Sequence, residues 1–366
     1  MHCPFCRTTQ TDLIDIETTT FTHLDFSDFG ECVQLIKCLN CQSLTNLQAP
    51  KKSNLIHSHY QRPEYVNSKQ TAQTFLVSGE PKPVTRSFLQ AKLLRPYLEK
   101  IPRPHVLDIG CFDGQLLWEI SRHFPQGQFK GFDINEKLQE LFPSADNFQM
   151  WISDLQQIEG EFDLICMSHS ILYIEDLEAL FLRIKKLLNP NGLLFIQAPS
   201  MILNPYQLLL SDQYYYFSPI SLKNVLQHSG FDADFINYEW FPRDLLVFAR
   251  PNSTVSQQSF KKDESVYQSI QILHDNRDKL KNLPEDCTLG VLGTTVNAAF
   301  VDSVLKQKNE FFVDESSTHQ QFRGKSVLHP DSMDKSVCLV LPYSNSNRGI
   351  KERFIEQYKL ENFILI

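Results

Sequence analysis

The sequence predicts an α/β protein. An open parallel sheet with helices on both faces is preceded by a small cysteine-marked module and followed by a second, smaller α/β domain. Three observations predict this. The apolar run over residues 106–109 ends in a glycine turn and passes directly into a helical pattern. Further apolar runs alternate with helix-spaced segments to about residue 250 and resume after residue 264, as a parallel sheet with crossover helices requires. Two Cys-x-x-Cys pairs, Cys3/Cys6 and Cys38/Cys41, mark the first 60 residues.

Residues 106–115 read Val-Leu-Asp-Ile-Gly-Cys-Phe-Asp-Gly-Gln, and Leu116, Leu117 and Ile120 continue at helical spacing. This is a strand, a tight turn and a helix start. Gly110 has no Cβ, so the backbone there can approach a ligand closely. The N–H groups at the helix start favour an electron-rich partner. A dinucleotide fingerprint needs Gly-x-Gly-x-x-Gly. Here Phe112 fills the second glycine position, which keeps a pyrophosphate from approaching as closely.

The following elements keep order. Residues 128–133 read as a second strand ending in Asp133, an acid placed to accept hydrogen bonds from both hydroxyls of a ribose. Asp133 lies 25 positions after Asp108, close to the ~20-residue interval of nucleotide-binding folds. Residues 148–151 suit a short third strand, followed by Ser153 and Asp154. Residues 162–167 form a fourth, with Ser168 at its end. Residues 187–192 read as a helix end and turn leading into a fifth strand, 193–196.

This stretch resembles motif I and its sequel in the class I S-adenosylmethionine (SAM) methyltransferases. The resemblance implies a Rossmann-like core that holds SAM. Asp108, Gly110, Asp113 and Gly114 would line the methionine side, Asp133 the ribose and Asp154 the adenine amino group, with Ser168 also at the cofactor.

The chain has 366 residues, enough for two or three domains at ~150 residues each. Residues 1–60 form the cysteine module and 61–85 a proline-punctuated connector. The central domain spans 86–250, opening on a helix over 87–98 and closing on strands at 234–238 and 245–249. Residues 251–264 are a Ser-, Gln- and Lys-rich linker, and 265–366 a C-terminal α/β domain. That domain starts with a helix over 266–283 and has strands at 287–293, 311–314 and 337–341. A net charge of −8 argues against a nucleic-acid partner, which usually meets a basic face. No apolar run nears the ~18 residues of a membrane span, and no signal peptide is read at the N-terminus. Nine cysteines without a secretion signal point to a reducing compartment, the cytoplasm, and to metal ligation or free thiols.

Paired Cys-x-x-Cys knuckles bring four thiolates into tetrahedral reach, so Cys3, Cys6, Cys38 and Cys41 are expected to hold a structural zinc ion. A module of about 60 residues gains from such a staple. Cys32 and His2 are weaker ligand candidates.

The order of a Cys₄ module, a SAM domain and a second α/β domain is similar to that of the sugar C-methyltransferase family, which acts on nucleotide-linked keto-deoxysugars. That family's motif I keeps an Asp-Gly pair, as Asp113-Gly114 does here. The resemblance implies methylation of a nucleotide-sugar or other carrier-linked metabolite, with residues 293–297 offered to the nucleotide. The chain departs from the family at its histidines. Positions 211–213 hold Ser211, Asp212 and Gln213 in place of His-Glu-His, although Tyr216-Phe217 survives. A further family histidine aligns with Tyr173, with His169 one turn earlier. His169, Tyr173, Asp212 and Tyr216 are therefore the candidates for removing an acceptor proton. Two other readings stay open: a zinc-module RNA methyltransferase, and a non-catalytic protein that binds SAM or a nucleotide-sugar.

Overall fold

Period-two alternation shapes the first strands, β1 (Thr11–Phe21) and β2 (Asp28–Cys38). In β2, Val33 and Leu35 are buried while Gln34 and Ile36 are half-exposed. The computed structural model describes residues 2–366 except 22–25, 27, 48, 50–53, 55–57, 59, 62–73, 76, 78, 79, 153, 237–239, 253–260, 284–286, 307, 316–319 and 343–346. Most of the expected connector and linker, Ser153 and the end of the strand expected at 234–238 therefore lie outside the described residues. Two compact units are present. One holds Met1–Asp12, Ile36–Ser200 and Gln213–Asp263; the other holds Leu13–Leu35, Met201–Asp212 and Glu264–Ile366.

In the first unit, β3 (Leu44–Asn46) follows the second cysteine pair, and β4 (Thr74–Phe75) pairs with β5 (Val84–Thr85). Helix α1 (Arg86–Leu98) starts there because the Thr85 hydroxyl accepts the Phe88 N–H at 3.2 Å. The sheet then builds in chain order. It comprises β6 (His105–Ile109), α2 (Gln115–Ser121), β7 (Gln128–Asp133), β8 (Phe148–Ile152), β9 (Phe162–Ser168), α3 (Leu177–Leu187) and β10 (Leu188–Pro199). Next come β11 (Tyr215–Tyr216), α4 (Pro219–His228), β12 (Phe231–Ile236) and β13 (Asp244–Pro251). The sheet order is β12-β13-β10-β9-β6-β7-β8. Strands β6 to β10 are mutually parallel, and β13 is antiparallel to both its neighbours. The order reverses between β6 and β9, which places a ligand crevice at their carboxyl ends.

Both faces of this sheet are covered, so its strands read as continuous apolar runs. Leu107, Ile109, Ile165 and Met167 pack with α3 and α4, while Val106, Leu164 and Cys166 pack with α1 and α2. Helix α3 is set by Asp176, whose carboxylate accepts the Ala179 N–H at 2.9 Å. The turn expected at 189–192 is instead a bulge inside β10, where the register to β9 shifts between Leu188 and Leu193.

The second unit contains α5 (Ser265–Lys281), β14 (Leu289–Leu292), α6 (Val296–Val304), β15 (Phe311–Val313) and β16 (Gln321–Phe322). It continues with β17 (Lys325–Leu328), β18 (Cys338–Leu341), α7 (Asn347–Tyr358) and β19 (Phe363–Leu365). Its sheet runs β16-β17-β15-β14-β18-β19, parallel except for the β16–β17 hairpin. Arg323 and Gly324 form that hairpin's turn, both at positive φ (50° and 79°), as a two-residue type I′ turn needs. Segment Met201–Asp212 joins this unit through hydrogen bonds from Ser269 Oγ to the Met201 carbonyl (3.1 Å) and from Asn276 Nδ2 to Tyr206 Oη (3.1 Å).

A buried ionic cluster ties the unit's first segment to its last. Asp302 is 1% exposed and takes Arg323 Nε at 2.8 Å and Lys325 Nζ at 2.7 Å. Arg323 also donates to Asp28 (2.8 Å) and to the Phe26 carbonyl (2.5 Å). Arg323→Ala leaves a buried carboxylate with Lys325 alone. We expect a loss of about 3 kcal/mol, the low end of the usual cost of breaking a buried pair because Lys325 remains. Urea unfolding followed by far-UV circular dichroism measures it, and a change under about 0.5 kcal/mol would contradict the cluster's burial.

Candidate functional site

The turn after β6 is coiled by three residues at positive φ: Gly110 (78°), Phe112 (51°) and Gly114 (77°). The N–H groups of Gly110 and Cys111 both donate to the Phe132 carbonyl, at 2.7 and 3.0 Å. Phe112 N–H donates to Asp133 Oδ2 at 3.0 Å, and Asn135 N–H to Oδ1 at 3.1 Å. Asp113 accepts the Gln115 N–H at 3.1 Å, so the start of α2 is capped from within the chain. The expected open approach at Gly110 is modified. A Cβ there would lie 2.4 Å from Ser170 Cβ, so glycine is required by the loop after β9 as well as by φ.

Asp108 is 2% exposed, and its Oδ1 has no hydrogen-bond partner among the described residues. Burial, aided by the nearby charges of Asp133 and Asp113, pushes its carboxyl up to about 8. Burial also raises Asp133, against the amides of Asn135, Phe112 and Ile134, which favour its charged form. A carboxylate has about four acceptor positions, so Asp133 keeps some acceptor capacity beyond these amides. Asp154 is exposed and caps the turn Leu155–Gln157 by accepting the Gln156 N–H at 2.8 Å.

At the carboxyl end of β9 the chain turns on His169, at φ 58°. Its N–H donates to the Gln197 carbonyl at 2.8 Å. Its Nε2 lies 3.2 Å from Asp244 Oδ2 and touches Arg86 Nη1. Asp244 also receives Gln197 Nε2 at 2.6 Å and Arg86 Nη1 at 3.4 Å. Gln90 Nε2 donates both to Gln197 Oε1 (2.8 Å) and to Ser168 Oγ (2.7 Å). A continuous polar chain thus runs from Ser168 through two buried glutamines to Asp244 and His169. Burial alone would raise Asp244. The His169 charge and hydrogen bond, Arg86 and Gln197 outweigh it and hold the carboxyl well below the usual range.

The other expected bases sit elsewhere. Tyr173 meets the Tyr60 ring edge-on at 5.0 Å. Tyr216 is buried in β11, which pairs with β3, and its hydroxyl accepts from Asn46 Nδ2 at 3.2 Å. Asp212 is buried in the second unit. Asp244, Arg86, Gln90 and Gln197 were not singled out from sequence. Their one signal was a lone glutamine inside an apolar stretch, Gln90 after Phe88-Leu89 and Gln197 after Phe195-Ile196.

Near the N-terminus, Cys3, Cys6, Cys38 and Cys41 are buried, with all four sulfurs within 4.8 Å of one another. Cys3 and Cys41 sulfurs are 3.7 Å apart, and Cys6 and Cys38 sulfurs 3.4 Å. A tetrahedral ion with Zn–S near ~2.3 Å needs sulfurs about 3.8 Å apart, so the set can hold a metal ion. The knuckles share a backbone form. Arg7 N–H donates to Cys3 O at 2.8 Å and Gln42 N–H to Cys38 O at 2.9 Å, with Arg7 and Gln42 both at positive φ. Phe5, inside the first knuckle, packs edge-on against Tyr215 and Phe217 at 5.9 and 6.0 Å.

Residues 85–234 match the family described as "Methyltransferase domain". They form a class I SAM-dependent methyltransferase domain with a Rossmann-like fold. The trans-aconitate 2-methyltransferase of Deinococcus radiodurans is 26% identical over 112 residues, 30% of this chain and 43% of that protein. Its namesake in Acidovorax ebreus is 27% identical over 133 residues, 34% and 51% of the two chains. The chain spans about half the length of these curated relatives. Among solved structures, the plantazolicin methyltransferase BpumL in complex with SAH gives a TM-score of 0.42 at 14% identity, covering 56% of this chain and 96% of that one. The CurJ carbon methyltransferase gives 0.38 at 18% identity, covering 46% and 54%. No helix among the described residues is long and apolar enough to cross a membrane.

Asp108 makes stability depend on pH. It keeps its proton to about pH 8 when folded, against about 3.9 in an unfolded chain. Its contribution is therefore complete below about pH 4 and is lost as the pH rises through about 8. Asp108→Asn keeps the shape and removes that loss. The melting temperature of the variant relative to wild type should rise from pH 5 to about pH 8 and level off above it in calorimetry. A constant difference over that range would contradict a neutral buried carboxyl.

Proposed function

We propose that the first unit transfers a methyl group from SAM to a small polar acceptor, with His169 removing the acceptor's proton. The carrying observation is the methyltransferase domain at 85–234 with the turn after β6 intact. The residues fit the cofactor. Asp108 offers a buried carboxyl oxygen without a partner, and Asp133 has acceptor capacity at the end of β7. Asp108, Gly110, Asp113 and Gly114 would hold the methionine side, Asp133 the ribose and Asp154 the adenine, with Ser168 a further cofactor contact. SAM supplies a methyl already activated on a sulfonium, so the protein's work is alignment and proton removal. His169 stands at the carboxyl end of β9, beside the switch point. Tyr173 and Tyr216 remain as acceptor-side or supporting residues of the first unit, and Asp212 as a candidate within the second.

For the acceptor, the reading is a nucleotide-linked sugar or similar carrier-linked metabolite. The second unit supports it on its own terms. Counted along the chain from β14, its parallel strands β17-β15-β14-β18-β19 follow the order 3-2-1-4-5 of nucleotide-binding sheets. Gly293 follows β14 directly, at φ 91° with open space where a Cβ would stand. Thr294 Oγ1 donates to Asp314 Oδ2 at 2.8 Å just beyond β15. The names of the curated relatives favour a second acceptor, a free polyacid such as trans-aconitate. The four cysteines hold a structural zinc ion in this reading, and the remaining cysteines, as free thiols, suit a reducing cytoplasm.

Tritium transfer from labelled SAM separates the acceptors, using a panel of nucleotide-linked keto-sugars, trans-aconitate and total RNA. Label in the sugar fraction is expected, and label in RNA alone would overturn the reading. Asp133→Ala removes the ribose acceptor and should weaken SAH binding by about 1–3 kcal/mol in calorimetry; unchanged affinity would sink the ribose assignment. Elemental analysis should find zinc near one per chain. Cys38→Ser should lose the metal and lower the melting temperature, and a metal-free wild type of equal stability would reject the zinc reading.

A further inference from the structure

A histidine serves as base only if its ring is held in one orientation and one tautomer. At His169 one residue does both jobs. The Gln197 carbonyl takes the His169 N–H at 2.8 Å and so holds the left-handed backbone turn. That conformation is uncommon outside glycine and persists only where its surroundings fix it. The Gln197 side chain donates to Asp244 Oδ2 at 2.6 Å. Its own amide cannot flip without cost, because Oε1 receives Gln90 Nε2 at 2.8 Å. Gln197 and Gln90 are 0% and 1% exposed. Buried amides are costly unless every partner is met, and an apolar residue of similar shape would pack as well. Their use here is to aim Asp244, whose side chain is 10% exposed, at the imidazole.

We infer that Asp244 is the positioning carboxylate of His169: it accepts the Nε2–H, fixes the tautomer and balances the charge that the ring gains in reaction. This rests on the reading of the first unit as a methyltransferase with His169 as its base. In the step, the acceptor's X–H proton moves to Nδ1, and the X–H electron pair forms the bond to the methyl carbon. The carbon–sulfur bond breaks with its electrons on sulfur, and the imidazolium stays paired to Asp244. Arg86 Nη1 lies 3.4 Å from the same carboxylate oxygen and also touches Nε2. A guanidinium only donates, so the competing arrangement is an Nδ1–H tautomer whose Nε2 accepts from Arg86.

The experiment is long-range ¹H–¹⁵N spectroscopy of the full chain saturated with SAH, with His169 assigned through His169→Gln. Wild type should show the Nε2–H tautomer in clear excess. Asp244→Ala should abolish the preference with SAH affinity within about twofold, and Gln197→Leu should weaken the preference. On whichever acceptor the panel yields, Asp244→Asn, which keeps the shape, should lower kcat by about 10²–10⁴ with little change in KM. A wild type in the Nδ1–H tautomer, or a tautomer ratio unmoved by Asp244→Ala, overturns the inference. So does full turnover in Asp244→Asn. Failure of wild type to bind SAH would instead overturn the methyltransferase reading beneath it.

Discussion

The hydrogen bond from Phe112 N–H to the Asp133 carboxylate, 3.0 Å long, closes the turn on which the first unit's site depends. Phe112 sits at positive φ, a position most side chains avoid. It is held by Asp133 from the next strand, and its neighbours Gly110 and Cys111 by the Phe132 carbonyl. The ends of β6 and β7 are thereby locked together across the loop. One acid thus does structural work through its amide contacts while keeping acceptor positions for a ligand.

That closure has an electrostatic consequence. It gathers Asp108, Asp113 and Asp133 near one turn, with Asp108 fully enclosed. Like charges in a dry site cannot all persist, and the innermost acid yields, pushed up to about 8 chiefly by its burial. A neutral carboxyl with an unmet oxygen is an unfavourable thing to bury. A cationic ligand group arriving at this turn would relieve the repulsion and meet that oxygen together. The turn is therefore arranged for a ligand that carries positive charge. SAM, with its ammonium and sulfonium, suits it better than a pyrophosphate would.

The fold was largely legible because its signals are local. The strand–glycine–helix opening, the acid at the end of the second strand and the two cysteine knuckles all lie within short windows. Their physics, φ freedom, backbone capping and ligand spacing, acts over the same range. The bulge in β10 was read as a turn because Asn-Pro-Asn-Gly is turn chemistry; pairing with β9 overrides it. The surroundings of His169 were not legible. Asp244 is 75 positions away and Arg86 is 83, and only the sheet brings them to the ring. The surroundings of Tyr216 were not legible either, since its pairing with β3 and its bond to Asn46 join residues about 170 positions apart.

Gln90 and Gln197 show what a lone polar residue in an apolar run means. Each lies at a position where burial favours leucine or isoleucine, and each is fully enclosed. Alone, either amide would cost stability. As a pair their donors and acceptors meet one another, Ser168 and Asp244, so the cost is offset only when the whole chain is present. Such a network is rigid because loosening one member strands the next. It runs between the carboxyl end of β9 and the start of β13. It therefore sets Ser168, expected at the cofactor, and Asp244, which faces His169, in one fixed relation. With Ser168 at the cofactor and His169 at the acceptor, as proposed, the same buried amides would align the two sides, which is the geometric condition a transfer between two bound groups demands.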